Sequence, residues 1–306
     1  MSERVQGSVQ EGAEPNTGTV SVAAASAVES LARWSVDWEG STRVAGLIRV
    51  FLAMILWARF GRDNILFWDL SWSGLACSAA FFATSTAMLL GVRARWSTAA
   101  AGLVALYMVY VVGPTKFEPW THHHTTLLAH VVCLCALTPC DRSYSLDRWW
   151  ALRRAELLGT PIPTEWGPLW GIRLLQLQLC FVYAFTAFDK LSAGFLSGAR
   201  LAHIIGRFYV GSVLPIGAWF DAACAVAACS TVVLEAALAV GLFSTRARRM
   251  LLPLGLMLHA AFYVTLDVWT YSATVYALYL AFLDPSVVHR AIDRLQGHAS
   301  DRLGGP

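Results

Sequence analysis

The residues of this chain that could do chemistry are the ionisable side chains that stand inside, or at the ends of, long apolar stretches. Only two of the 23 basic residues are lysines, and one of them, Lys190, directly follows Asp189 where an apolar stretch ends. Lysine differs from arginine because a buried lysine can give up its proton and act as a base. The choice of lysine at position 190 therefore favours a role in proton transfer. The alternative is a lysine that only extends its amine to a membrane interface, in which case the residue type is accidental.

Histidines form the second group of candidates. Three of them, His122, His123 and His124, open one apolar stretch, and His130 and His259 lie near the middle of two stretches. Successive residues of a helix point about 100° apart, so the three consecutive histidines cannot all face one site. The spacing alone does not choose among them. The sequence has no HExxH motif and no histidine pair three or four residues apart, so it predicts no metal site. Its seven cysteines include no CxxC pair, which disfavours the quinone–disulfide enzymes of membranes.

The other charges inside apolar stretches are Arg49, Arg173 and Glu235. Each such charge costs roughly 2.5–3.5 kcal/mol on insertion scales, so we expect it to be paired or functional. Counting along the stretches places all three at the same end, and the structural interpretation is a buried ion pair of Glu235 with Arg49 or Arg173. The alternative is that the arginines hold an anionic group or the head of a cofactor.

The elements that must position these residues are membrane helices. Of the 306 residues, 57% are hydrophobic and only 14% are charged, whereas soluble domains carry about 25% charged residues. Apolar runs recur along nearly the whole chain, and several reach the length of about 20 residues that a bilayer crossing needs. The predicted fold class is all-α, a polytopic helical bundle in the cell membrane. We predict about eight transmembrane helices plus interfacial helices, with the spans near residues 43–60, 71–91, 97–114, 122–139, 168–190, 217–243, 250–266 and 270–285.

Polar segments flank this transmembrane domain of residues 43–285. Residues 1–42 are expected to form a disordered tail that ends in a short amphipathic helix, and residues 286–306 a polar tail without a fold of its own. Between the fourth and fifth spans, the stretch SYSLDRWWALRRAELLG has the two-sided character of an interfacial helix, and ARLAHIIGRFYVG is a second candidate. Most arginines lie in loops on the side of the termini. The positive-inside rule therefore predicts cytoplasmic termini, with Lys190 and the histidine triplet toward the outer face.

Three segments, in order, resemble the HTTM family, the membrane domain shared with vitamin K-dependent gamma-glutamyl carboxylase. The stretch GIRLLQLQLCFVYAFTAFDKLSAGFLSG is similar to the hallmark helix of that family. The stretch HHHTTLLAHVVCLCALTPCDRSYSLDRWW is similar to a histidine-led span that ends in an aspartate followed by Tyr-Ser-Leu-Asp, and LMLHAAFYVTLDVWTYSATVYAL to a later histidine-containing span. The resemblance covers residues 43–285. The positions that match the hallmark helix are Arg173, Tyr183, Lys190, Leu191, Phe195 and Gly198.

The resemblance implies a membrane enzyme that uses reduced vitamin K or menaquinol. In the carboxylase, the lysine is the proposed base for vitamin K hydroquinone. Reaction with oxygen then yields the strong base that removes a glutamate γ-proton, so that CO2 can add. Carried over, Lys190 takes the position of this base, and His124, with His123 close behind, that of an assisting histidine. The remaining candidates for cofactor binding are His259, Arg173, Tyr183, Arg49 and Glu235.

Two departures from the carboxylase keep other functions open. The carboxylase carries a large domain that binds its substrate propeptide, whereas this chain ends about 20 residues after the last predicted span, and Asp189 stands where the carboxylase has a second lysine. Short bacterial-type relatives include a maturation factor for an exported peptide toxin. The main alternative is therefore a non-enzymatic maturation or export factor for a small secreted peptide. A transporter is disfavoured because no inverted repeat is found. The expected partners are membrane lipid, a lipid-soluble quinol and a small exported peptide, and no nucleic acid.

Overall fold

The computed structural model describes residues 29–303, apart from residues 31, 67–68, 212–215 and 267. Residues 29–38 belong to a separate unit of the chain, in which residues 32–36 are helical. The rest of the predicted N-terminal tail, up to residue 28, lies outside the described residues. From residue 39 onward the chain forms a second unit that is largely helical.

In chain order the helices are α1 (Arg43–Ile65), α2 (Trp72–Leu90), α3 (Ala94–Lys116), α4 (His123–Cys135), α5 (Leu146–Leu158), α6 (Trp170–Asp189), α7 (Ala193–Leu196), α8 (Ala199–Ile205), α9 (Ala218–Gly241), α10 (Thr245–Leu266), α11 (Trp269–Tyr279) and α12 (Pro285–Leu303).

Among the described residues, six helices are long and apolar enough to cross a membrane. They are α1, α2, α3, α6, α9 and α10, and they confirm the prediction of a helical membrane protein. The predicted count of eight is not confirmed, because the fourth and eighth predicted spans correspond to the short helices α4 and α11. With 13 and 11 residues, these helices rise only about 20 Å and 17 Å at 1.5 Å per residue, which is less than the roughly 30 Å of a hydrocarbon core.

Both short helices pack inside the bundle. α4 contacts α1, α3, α6 and α11, and α11 also packs against α10. The end of α4 follows from its sequence, since the Thr138 hydroxyl donates to the Cys135 carbonyl at 2.6 Å and Pro139 comes next. Proline cannot continue the backbone hydrogen bonds of a helix. Hydropathy alone does not detect this stop.

The two predicted interfacial segments are both helical, as α5 and as α8 with the π-helical turn Gly206–Val210. α5 begins where the Ser145 hydroxyl accepts a hydrogen bond from the Arg148 N–H, and it ends at Gly159 in the left-handed conformation, φ 63°. Its tryptophans Trp149 and Trp150 are exposed.

The described part of the C-terminal segment, for which the sequence predicts a polar tail, is helical. α12 begins at Pro285, and the Asp284 carboxylate accepts hydrogen bonds from Ser286, which lower the pKa of Asp284. α12 packs against α1 and against strand β1 (Glu39–Ser41), which pairs antiparallel with strand β2 (Trp166–Pro168). The polar composition of this segment predicts a tail, but its Asp-Pro pair is a signal for the start of a helix.

Candidate functional site

The central feature of the candidate site is an ion pair between α6 and α9. Lys190 follows the last residue of α6, and its Nζ donates to both carboxylate oxygens of Glu235, at 2.6 and 2.7 Å. The Glu235 side chain is fully buried, whereas 21% of the Lys190 side chain is exposed. The two helices pack along each other and hold the pair in place. A buried carboxylate in this position needs its counter-ion, because removing one partner leaves an uncompensated charge.

The expected pairing of Glu235 with Arg49 or Arg173 is therefore wrong. The Arg49 guanidinium donates instead to the backbone carbonyls of Cys140, at 2.7 Å, and Tyr144, at 2.5 Å. The sequence argument failed because it assumed that α9 begins level with the end of α6. In the structure, the segment just after Lys190 lies against Cys224 and Ala225, so α9 extends past the end of α6 and Glu235 comes level with Lys190.

Aromatic rings from two further helices surround the amine of Lys190. Its Nζ lies 5.7 Å from the ring centre of Phe262 on α10 and 5.9 Å from that of Phe195 on α7. Both distances are within the range of cation–π attraction. Four helices thus meet at Lys190, and the amine is presented between a carboxylate and two aromatic rings.

A buried hydrogen-bond network lies on the same face of α6. Tyr183 precedes Lys190 by seven residues, about two helical turns. Its hydroxyl hydrogen-bonds to His259 Nε2 at 2.8 Å, and also to the hydroxyl of Tyr279. All three side chains are buried. Gly255 makes room for this contact, because a Cβ at that position would lie 2.0 Å from the Tyr279 hydroxyl oxygen.

Two polar atoms beside this network have no hydrogen-bond partner among the described residues. They are His259 Nδ1 and the Tyr271 hydroxyl, on rings whose centres are 5.1 Å apart. Because Nε2 of His259 is already bonded to Tyr183, Nδ1 lacks a partner in either tautomer. Leaving buried polar atoms unpaired costs about 1–3 kcal/mol each. Such atoms need a hydrogen-bond partner, which a buried water or a polar group of a ligand would supply.

The histidine triplet lies near this site, and the structure distinguishes its members. His123 is the first residue of α4 and is exposed, whereas His124 is half-buried and its Nδ1 has no partner in the described part of the chain. The positive charge of Lys190 is near enough to His123 to disfavour a second positive charge on that ring. For His124, the cation with this effect is Arg59. The sequence-based preference for His124 over His123 remains a prediction.

The two arginines do not belong to this cluster. Arg173 stands 17 residues before Lys190 on α6, about 25 Å along the helix, and it donates to Gln176 Oε1 at 3.0 Å. Arg49 fixes the segment between α4 and α5, as described above. In the first turn of α5, Asp147 accepts hydrogen bonds from the backbone N–H groups of Arg93 and Ala94 at the start of α3, at 2.8 and 2.7 Å. The Tyr-Ser-Leu-Asp motif therefore has a structural role.

A cavity of about 390 Å³ lies against α5, away from Lys190. Its lining is Asp141, Arg142, Asp147, Arg148, Ala151, Pro163 and Thr164. Three of its four charged groups are engaged in the fold, since Asp147 caps α3 and the two arginines donate to the carbonyls of Trp166 and Pro163. The cavity does not compete with the Lys190 cluster as the chemical site.

Sequence reasoning missed Tyr271, Tyr279 and Phe262. A signal for the tyrosines was present, because the stretch WTYSATVYALY of α11 carries an unusual number of hydroxyl groups for an apolar helix. Comparison of the chain with protein-family models, with curated proteins and with solved structures gives no match in any of the three. The resemblance to the HTTM family thus remains a prediction that rests on the sequence motifs.

Proposed function

We propose that this chain is an integral membrane enzyme that removes a proton from a lipid-soluble quinol, with Lys190 as the base that contacts the substrate. The observation that carries the proposal is the amine of Lys190, partly exposed and held against a fully buried carboxylate. The HTTM resemblance supplies the substrate class, reduced vitamin K or menaquinol, and the coupling to carboxylation of a glutamate in an exported peptide.

The surroundings of Lys190 fit a ring that carries two oxygen atoms. Phe195 and Phe262 offer aromatic faces beside the amine, and aromatic rings attract one another in offset or edge-to-face arrangements. His259 Nδ1 and the Tyr271 hydroxyl offer buried polar atoms to a substrate oxygen. A bound quinol would be the group that reacts with oxygen. The residues of the chain would bind it, orient it and move its hydroxyl proton.

We also propose that both termini are cytoplasmic and that Lys190 is near the outer face. Arginines are concentrated in the connections and near the helix ends on the side predicted to hold the termini, such as Arg142, Arg148, Arg248 and Arg290. The side of the Lys190 end of α6 has few basic residues. The positive-inside rule supports this orientation.

The proposal is tested by reconstituting the full chain in liposomes with menaquinol or reduced vitamin K, oxygen and bicarbonate, and by measuring epoxide formation. Lys190→Arg should abolish turnover, because arginine stays protonated. The matched control is Lys116→Arg, at the only other lysine of the chain. Lys116 forms an exposed ion pair with Asp69, lowering the pKa of that carboxyl to about 2. An arginine can keep this pair, so the control variant should retain activity.

Epoxide that persists in Lys190→Arg would refute the role of Lys190 as the base. The absence of epoxide with either quinol, from a folded wild-type preparation, would refute the enzyme and favour the alternative of a peptide maturation or export factor.

A further inference from the structure

We infer that Glu235 is the final acceptor of the substrate proton and that Lys190 relays the proton to it. The inference rests on the proposed function and assigns Glu235 a role that the HTTM resemblance does not provide. Glu235 would act through Lys190, as a positioning and proton-storing residue behind the group that contacts the substrate.

The geometry separates the two roles. Glu235 has no exposed surface, whereas Lys190 is 21% exposed, so only the lysine can contact a substrate that arrives from the bilayer. Both carboxylate oxygens accept hydrogen bonds from the same Nζ atom. An ammonium group has three N–H bonds. Two are directed to Glu235, which leaves one direction on the nitrogen for a substrate hydroxyl.

The relay breaks and forms equal numbers of bonds. Lys190 Nζ passes a proton to a Glu235 oxygen along one of the hydrogen bonds. The amine then rotates about its Cε–Nζ bond, so that the freed lone pair faces the substrate and takes the proton of its hydroxyl. One N–H bond and the substrate O–H bond break, and a carboxylic O–H bond and a new N–H bond form. The end state is a neutral Glu235, a Lys190 ammonium and a substrate oxygen anion.

Charge conservation explains why Glu235 is needed. With the carboxylate present, one cation and one anion exist before and after the transfer, and the negative charge only moves from Glu235 to the substrate oxygen. With a neutral residue at position 235, a neutral amine and a neutral substrate would have to become two opposite charges. Creating charges in a poorly solvated site is costly, because water no longer stabilises them. The rings of Phe195 and Phe262 attract the ammonium in both states.

The test uses the full chain in liposomes with menaquinol under argon, so that the reaction cannot proceed to the oxygen step. Two signals are recorded, namely the absorbance of the ionised quinol and the infrared C=O band of a protonated carboxyl group. In the wild type, both signals should appear together. Glu235→Gln should lose the carboxyl band and ionise the quinol roughly 10²-fold more slowly, the low end of what a positioned proton acceptor contributes to a rate.

The matched control is Asp189→Asn, which removes the exposed carboxylate next to Lys190 while the amine stays paired with Glu235. This variant should give both signals. Glu235→Asp keeps a carboxylate on a side chain that is one methylene shorter, and it should show the carboxyl band that Glu235→Gln loses. A structural ion pair would predict no such band in any variant.

The outcomes separate the relay from the proposed function. Ionised quinol without a carboxyl band in the wild type overturns the relay, whether or not Glu235→Gln folds, and leaves Lys190 as the base. Equal rates of quinol ionisation in wild type and Glu235→Gln overturn it as well. No ionised quinol in a folded wild-type preparation would overturn the proposed function itself.

Discussion

The Lys190–Glu235 pair makes a prediction about stability that is independent of any substrate. Lys190→Met leaves the fully buried Glu235 carboxylate without its counter-ion. Stranding a buried charge costs about 3–5 kcal/mol. Glu235→Leu strands the lysine instead, but its partly exposed amine can turn toward water, so we expect about 1–3 kcal/mol. The double variant Lys190→Met/Glu235→Leu strands neither charge and should lie within about 1 kcal/mol of the wild type.

The assay is thermal unfolding of the four proteins in one detergent, followed by tryptophan fluorescence and by size-exclusion chromatography. Lys190→Met should lower the Tm by roughly 10 °C, and the double variant should restore most of that loss. The resulting coupling energy is at least about 3 kcal/mol, at the upper end of values for residues in contact. Lowering the pH should also stabilise Lys190→Met, since protonation of Glu235 removes the stranded charge. Additive effects of the two substitutions would refute the buried pair.

Two further predictions concern residues that shape the fold around the site. Gly255→Ala places a methyl group 2.0 Å from the Tyr279 hydroxyl oxygen and should destabilise the protein by about 1–3 kcal/mol. Gly61→Ala is the neutral control, because the nearest atom there is 3.8 Å away. Equal unfolding curves for the two variants would contradict the close packing at Gly255. Arg49→Gln removes two charged hydrogen bonds to buried carbonyls and should cost about 3 kcal/mol or more in a denaturant titration. An unchanged midpoint for Arg49→Gln would favour the ligand-binding role over the structural one.

The long membrane helices were predictable because each is specified by its own sequence. The runs that became α1, α2, α3, α6, α9 and α10 are predominantly apolar over the length of a crossing, and Pro253 within α10 does not end that helix. The two short helices were not predictable from hydropathy. Their composition is equally apolar, but α4 ends at a local proline turn and packs inside the bundle.

The candidate site was predictable only in part, because its contacts join separate helices. Lys190 was recognisable from its residue type and position. Its partner Glu235 is 45 residues away on α9, and no pattern within either helix encodes their contact. The same holds for Tyr183, His259 and Tyr279, which come from α6, α10 and α11. A single sequence states which polar groups must be paired in a membrane, but not which groups will meet.

Arg43 ties the beginning of the membrane domain to its end, and this has a consequence for biosynthesis. Its guanidinium binds Glu165 at 2.9 Å and Asp293 at 2.7 Å, and it also donates to the His289 carbonyl. A ribosome makes Arg43 long before these partners, which lie up to 250 residues later in the chain. The first helix must therefore enter the bilayer with this arginine still hydrated at the membrane edge. Its contacts form only when α12 has emerged, so this part of the domain is completed by a segment that is made about 250 residues later.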